Sequence, residues 1–189
     1  MKFAIMTIPH TGTHFVLNLL GGSRDNLENW MNKEFWTDKH GFYVSHVYRI
    51  PIFELVESKG YTIVSPIRHP MTTMKSWHNR YTKRPLEIPD DLSHKVAEIE
   101  KYVKPSWVPN LYKNLIVANQ LYDINFFPID SPRREEYLRK FNEKYKLGLR
   151  TSWRPLNSHG DHTYDIPDDL VTSTKNMMDE NKEFFDMFY

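Results

Sequence analysis

The segment Pro9-His10-Thr11-Gly12-Thr13-His14 combines residue types that bind anions. An apolar run precedes it and residues at helical spacing follow it, so we expect it to join a strand to a helix. A helix start offers backbone N–H groups and a positive dipole end, Gly12 permits close backbone approach, and two Thr hydroxyls add donors. The same residues could instead form a turn in which a Thr caps the helix and no ligand binds.

Metal-assisted triphosphate chemistry is not expected at this loop. The nucleoside-triphosphatase pattern places Gly-Lys-Ser/Thr after four residues that follow a first Gly, and the Lys is absent here. The third predicted strand runs into Arg68, with no Asp at its end to hold magnesium. Both absences argue against a magnesium-dependent triphosphate site, whether or not the loop binds an anion.

Short apolar runs alternate with segments of helical periodicity along the chain. The predicted strands cover 3–8, 42–47, 61–65 and 124–129. The predicted helices cover about 15–20, 51–60, 70–81 and 111–121, another begins near Arg133, and a single last helix carries Met177, Phe184, Phe185 and Phe188. The segment 151–169 is expected to be a loop.

This alternation predicts an α/β fold, a three-layer α/β/α arrangement around a central parallel sheet. Ligands of such sheets sit at the carboxyl ends of the strands, where 9–14, His46 and 68–76 are all expected. We predict one domain over residues 1–189, with a helical insert at about 85–123 that would help to shape the acceptor site.

Two motifs resemble those of the sulfotransferases that use 3′-phosphoadenylyl sulfate (PAPS). Pro9-His10-Thr11-Gly12-Thr13 is similar to their 5′-phosphosulfate loop, Pro-Lys-Ser/Thr-Gly-Thr. Arg68-His69-Pro70, with Ser76 eight residues after the Arg, is similar to their 3′-phosphate motif. The resemblance covers roughly residues 2–81 and implies the P-loop NTPase-like sulfotransferase fold.

The resemblance also implies which residues bind the donor. Pro9, His10, Thr11, Gly12, Thr13 and His14 would hold the 5′-phosphosulfate. Arg68 would leave a strand end as a fixed cation with a bidentate fork for the 3′-phosphate, and Ser76 lies about two turns into the next helix. A surface Arg at a turn and a surface Ser on a helix are the ordinary alternatives.

The resemblance further gives His46 a catalytic role. Val44-Ser45-His46-Val47 is similar in place to the family's Lys-Thr-His-Leu-Pro segment, whose His is the catalytic base. A neutral His suits proton abstraction from a hydroxyl near pH 7. The alternative is a strand-end His whose ring bonds a backbone carbonyl.

The chain departs from the family at two points. His10 replaces the loop Lys that supports the leaving-group oxygen, and a protonated His10 could take over that role, as could Lys75, His14 or Arg80. The late Arg-Lys-Gly motif is absent, which leaves the rest of the 3′-phosphate and adenine site unassigned. A non-catalytic nucleotide-binding relative and a small-molecule or nucleotide kinase are therefore kept as alternatives.

The composition limits partners and compartment. The net charge of +1 gives no global reason to expect nucleic acid or an anionic membrane, and the absence of cysteine fits a reducing compartment. The apolar start, 1–8, is too short for a signal-peptide core, so we expect a cytoplasmic protein. No metal is expected, because the His and Asp residues of Ser158-His159-Gly160-Asp161-His162 are typical of a solvated loop. PAPS would be the donor, 3′-phosphoadenosine 5′-phosphate (PAP) the product, and a small-molecule or carbohydrate hydroxyl the acceptor.

Overall fold

A computed structural model describes residues 1–8, 11–22, 35–37, 42–45, 50–83, 107–149 and 166–189. Five strands in this part of the chain form one sheet in the order β2-β3-β1-β4-β5. The strands are β1 (Phe3–Met6), β2 (Phe35–Thr37), β3 (Phe42–Ser45), β4 (Thr62–Ile67) and β5 (Asn125–Pro128). β3, β1, β4 and β5 are mutually parallel, whereas β2 pairs antiparallel with β3.

Seven helices are described beside the sheet. They are α1 (Thr13–Leu19), α2 (Ile50–Ser58), α3 (Pro70–Lys83), α4 (Val108–Leu121), α5 (Arg134–Tyr145), α6 (Asp168–Glu180) and α7 (Lys182–Asp186). Several begin or end where the sequence dictates. Pro70 opens α3 because a first-turn position needs no N–H donor, and Lys146 ends α5 in the left-handed conformation.

Helices cover both faces of the sheet, and the alternation of side chains along β1 shows this directly. Ala4 and Met6 join an apolar cluster with α2, α3, α4, α6 and α7. Phe3 and Ile5 join a second cluster with α1 and α5. Successive strand residues point to opposite faces, so β1 is buried on both sides. The α/β class and the parallel sheet are therefore confirmed, and the arrangement is consistent with the predicted three layers.

The third predicted strand is longer than expected, because it continues through Pro66. Proline usually breaks a strand, so the strand was predicted to end at Ser65, yet β4 continues to Ile67. The Ile67 carbonyl accepts the Ile129 N–H at 2.8 Å, so the backbone polar groups of the odd-numbered residues of β4 point toward β5. The backbone of Pro66 therefore faces β1. Pairing of β1 with β4 ends at Ile5 and Val64, so the missing N–H of Pro66 interrupts no ladder.

The end of the chain also differs from the prediction. The single last helix is wrong, because α6 ends at Glu180 and α7 begins at Lys182, with the Asn181 N–H bonded to the Met178 carbonyl. The loop predicted over 151–169 ends earlier than expected, because α6 already starts at Asp168. Acidic residues at 168 and 169 favour a helix start through the helix dipole.

Candidate functional site

Three threonine hydroxyls hold the loop that follows β1. The Thr7 Oγ1 lies 3.1 Å from that of Thr11 and 2.9 Å from that of Thr13. The Thr11 hydroxyl also donates to the Ile8 carbonyl at 2.6 Å. The Thr7 hydroxyl also donates to the Ile8 carbonyl at 3.0 Å, so this carbonyl accepts from both buried threonines, and the Thr13 hydroxyl can donate to Thr7. Since Thr7 and Thr11 are fully buried, the loop starts as a fixed polar network.

Gly12 adopts a conformation that other residues rarely take. Its φ is 103° and it is the N-cap of α1, without a side-chain capping bond. Neither Thr11 nor Thr13 is therefore the residue that caps α1, and binding of a ligand by the loop stays a prediction. A Cβ at this position would lie 3.0 Å from the Cγ1 of Ile129, the residue after β5. Ile129 therefore occupies the space where a side chain at position 12 would lie, and it packs the loop against the end of the edge strand β5.

The other predicted residues of this loop are described only in part. Thr13 is half-buried at the first position of α1, and His14 is exposed at the second. Pro9 and His10 lie outside the described residues. His46 does as well, although Ser45 directly before it ends β3, and the Ser45 carbonyl accepts the Thr7 N–H at 2.9 Å.

Arg68 directly follows β4 at the same edge of the sheet. Its side chain is 25% exposed, and Nε lies 3.7 Å from Oδ2 of Asp130. That separation allows charge attraction but exceeds hydrogen-bond range. Nε is buried and makes no hydrogen bond within the described part of the chain. Asp130 therefore attracts the Arg68 guanidinium by charge, but it does not accept a hydrogen bond from Nε.

The Asp130 carboxylate accepts hydrogen bonds from the turn after β4 and from the last residue described. The His69 backbone N–H donates to it, 3.0 Å from Oδ1 and 3.2 Å from Oδ2. The Tyr189 hydroxyl donates to Oδ1 at 3.0 Å. Burial, reinforced by the Asp130 charge, raises the pKa of this phenol far above its usual value, so the hydroxyl keeps the proton that it donates.

His69 packs beside this carboxylate. Its ring meets that of Tyr189 edge-on, with 5.1 Å between the centroids. Burial lowers the pKa of the imidazole below its usual value of 6.5, an effect that the Asp130 charge opposes and the Lys75 charge reinforces. Burial therefore favours the neutral form of His69, and the fixed positive charge of the Arg68–Pro70 turn is that of Arg68.

Ser76 is a half-buried residue of α3, and Met74 and Trp77, which flank it in sequence, are fully buried. It is six residues beyond the start of the helix at Pro70, which is about 9 Å along the axis. The structure therefore puts Arg68 before the first turn of α3 and Ser76 near the end of its second turn. Both belong to the segment that leaves β4, as the spacing predicted.

The topology brings the two motifs to one edge. β1 and β4 are adjacent and parallel, so the Thr7–Gly12 loop and the Arg68–Pro70 turn both leave carboxyl ends. The contact of Gly12 with Ile129 places the loop beside the residue that precedes Asp130. An anion lying across these strand ends would lie between the start of α1 on one side and the partly exposed Arg68 on the other.

Within the described ranges, no group of three or more His, Asp or Glu residues is arranged to hold a metal ion. The Ser158–His162 segment lies outside them. No helix within the same ranges is both long and apolar enough to cross a bilayer.

Sequence reasoning missed four contributors to this site: Thr7, Asp130, Tyr112 and Tyr189. Asp130 could have been found, because it follows the fourth predicted strand and so had to reach the ligand-binding edge. Thr7 was assigned to the strand, with no sign that its hydroxyl serves the loop. Tyr112 and Tyr189 are distant in sequence, and their contacts with this turn come from tertiary packing alone.

Comparison with known proteins leaves the site unassigned. No protein-family model matches the chain, and no curated protein matches it.

Proposed function

We propose that the protein is a sulfotransferase that moves the sulfuryl group of PAPS to a hydroxyl acceptor. In the reaction, the bond from sulfur to the bridging phosphate oxygen breaks and a bond from sulfur to the acceptor oxygen forms. The acceptor loses its proton to a base, and PAP leaves with the negative charge. The protein must therefore bind two phosphate-bearing ends, remove one proton and stabilise one oxyanion.

The observation that supports the proposal most is that the two motifs leave neighbouring parallel strands at one edge. The loop after β1 and the turn after β4 were matched to different ends of the donor, and β1 pairs directly with β4. Strands in a sheet are about 5 Å apart, so two adjacent strand ends suit the two phosphate groups of one nucleotide. Motifs at opposite ends of the sheet could not have served one ligand.

The polar groups at this edge suit a donor that needs no metal. Arg68 is a permanent cation, and its fork matches a phosphate group. The backbone N–H groups at the start of α1 favour an anion, and Thr13, whose hydroxyl bonds that of Thr7, fixes this helix start in place. In the proposal Pro9, His10, Gly12, Thr13 and His14 hold the 5′-phosphosulfate, while Arg68 and Ser76 hold the 3′-phosphate. Thr11, which the resemblance also assigned to the donor, would support the loop from within, because its side chain is fully buried and its hydroxyl bonds the Ile8 carbonyl.

The proposed chemical roles rest on chain position. His46 directly follows β3, whose last residue bonds to Thr7, so the base is assigned to the edge that carries the loop. His10 belongs to the loop itself and would act as the cation that supports the leaving oxygen. Charge on a bridging oxygen is the main demand of the transition state, so a protonated His10 would matter more for turnover than for donor binding.

Turnover is tested by incubating the protein with PAPS and a panel of hydroxyl acceptors and measuring PAP release. We expect acceptor-dependent release, and a His46→Ala variant should lower kcat by at least about 100-fold while donor affinity stays the same. His78→Ala, on α3, is the matched control and should keep full activity. An unchanged rate in His46→Ala would remove the base assignment, and no release with any acceptor would remove the enzyme assignment.

A second candidate is a nucleotide-binding protein without turnover. The replacement of the loop Lys by His10 favours it, because an imidazole is only partly charged near neutral pH. This candidate predicts PAP binding without product formation. A kinase would instead bind ATP with magnesium in preference to PAP, so the same set of ligands separates all three.

A further inference from the structure

The peptide group between Arg68 and His69 is held at both ends. Its carbonyl oxygen accepts the Tyr112 hydroxyl, which also lies 2.9 Å from Thr73 Oγ1. Its N–H donates to both carboxylate oxygens of Asp130. A peptide is planar, so bonds at both ends fix the direction in which the chain leaves Arg68. One side chain from α4 and one from the turn after β5 thus orient the backbone of Arg68.

Asp130 is itself fixed in place. It lies two residues beyond Pro128, the last residue of β5, and β5 is paired with β4 up to Ile67 and Pro128. The Tyr189 hydroxyl bonds the Asp130 oxygen that lies nearer to His69 N. The carboxylate therefore has a rigid strand behind it and a tyrosine beside it, which suits a group that restrains a neighbour.

The contact between Asp130 and the Arg68 side chain is of a different kind. At 3.7 Å, Nε is too far from Oδ2 for a hydrogen bond, so the carboxylate does not take up the Nε–H. A carboxylate close to an anion site repels the ligand, so its charge alone would weaken phosphate binding. A contribution of Asp130 to binding would therefore come from the hydrogen bonds that it accepts from the turn.

We propose that Asp130 is a positioning residue that aims Arg68 at the ligand by fixing the Arg68–His69 peptide. The inference rests on the proposed function, because it assigns Arg68 to the 3′-phosphate of the nucleotide. Asp130 touches neither the reacting atoms nor the ligand. It acts through the peptide, and Tyr112 acts on the same peptide from the other side.

Binding of PAP, measured by calorimetry, tests this role. Asp130→Ala removes the acceptor and should weaken PAP binding about tenfold. Asp130→Asn keeps one acceptor oxygen for His69 N–H and loses the charge, so it should bind PAP within about threefold of the wild type. Asp123→Ala is the matched control, because Asp123 precedes β5 at the opposite edge and pairs with Lys144 at 2.7 Å. It should leave PAP affinity unchanged.

A double-mutant cycle with Arg68→Ala distinguishes an effect of Asp130 on Arg68 from a general effect of Asp130 on the fold. If Asp130 acts through Arg68, Asp130→Ala should have almost no further effect on PAP affinity in the Arg68→Ala background. Tyr112→Phe gives a second route if Asp130→Ala fails to fold. It should weaken PAP binding about threefold or more, and this loss should also vanish in the Arg68→Ala background.

Each result decides the matter. An Asp130→Asn variant as weak as Asp130→Ala would overturn the peptide mechanism, and so would a loss that persists without Arg68. Wild-type PAP binding with an unchanged Asp130→Ala would overturn this inference and leave the proposed function intact. Failure of the wild type to bind PAP would overturn both.

Discussion

The loop after β1 and the turn after β4 reach the same edge of the sheet with different chemistry. The loop is built on neutral hydroxyls that bond one another and the Ile8 carbonyl, with Thr7 and Thr11 fully buried. The turn is built on charge, with Arg68 and Asp130 each about one quarter exposed. The loop therefore supplies a fixed shape, and the turn supplies the fixed charge.

The difference shows how the two motifs would divide the binding of one anionic nucleotide. Buried neutral networks stabilise a conformation when every member is bonded, but they attract a distant ligand weakly. A partly exposed guanidinium does the reverse, because it acts over a longer range and keeps donors for a phosphate. Changes in the loop should thus affect folding first, whereas changes in the turn should affect affinity first.

The largest effect on stability is expected from Gly12→Ala. The left-handed φ disfavours alanine by about 1–2 kcal/mol, and contact with Ile129 adds about 1 kcal/mol or more. Gly60→Ala is the control, since Gly60 also has a positive φ, of 72°, but no heavy atom within 4 Å of the added carbon. Urea denaturation should show a clearly greater loss for Gly12. Equal losses would mean that Ile129 does not pack against the loop.

Thr7→Val should lower the free energy of unfolding by about 1–3 kcal/mol, because it leaves buried hydroxyl partners without one of their bonds. Thr7→Ser keeps the hydroxyl and should recover most of that loss. Thr174→Val is the matched control, a fully buried Thr in α6 whose hydroxyl bonds the Leu170 carbonyl, which is already part of the helix. A loss at Thr7 no larger than that at Thr174 would argue against a fixed network in the loop.

The smallest effect is expected from titration of His69 in the turn. Its pKa is lower in the folded protein than its usual 6.5, so the unfolded state binds more protons as the pH falls below that value. The contribution of neutral His69 to stability is complete above about pH 6.5 and decreases toward lower pH. His69→Asn should therefore lose less stability than the wild type between about pH 7.5 and about pH 5.5 in urea denaturation. A greater loss in the variant would contradict the burial of a neutral ring.

Much of the fold could be predicted because its signals are local. Apolar runs identified the four parallel strands, and helical spacing identified α1 to α4 within a few residues of their ends. The errors came from context: Pro66 lies where no ladder bond is needed, and Asn181 divides a helix that periodicity alone would continue. β2 was missed, because only three residues pair at the edge of the sheet.

The motifs of the candidate site could be predicted from the sequence, but the residues that hydrogen-bond to these motifs could not. Arg68 follows β4, Ser76 lies on α3 and the Thr-Gly-Thr loop joins β1 to α1, as expected from the sequence, while their binding roles stay predictions. The groups that restrain them come from elsewhere: Tyr112 from α4 and Tyr189 from beyond α7. Contacts between residues so far apart in sequence depend on how helices pack on the sheet, and no local pattern encodes that.

The most direct test of the account is a calorimetric titration with PAP, beside ATP with magnesium. We expect the wild type to prefer PAP and Arg68→Ala to weaken its binding about 10- to 100-fold, because a charge-assisted contact to phosphate is lost. Arg139→Ala, which removes an exposed arginine paired with Glu143 on α5, should leave the affinity unchanged. No PAP binding, a preference for magnesium-ATP, or equal affinity in Arg68→Ala would contradict the donor site.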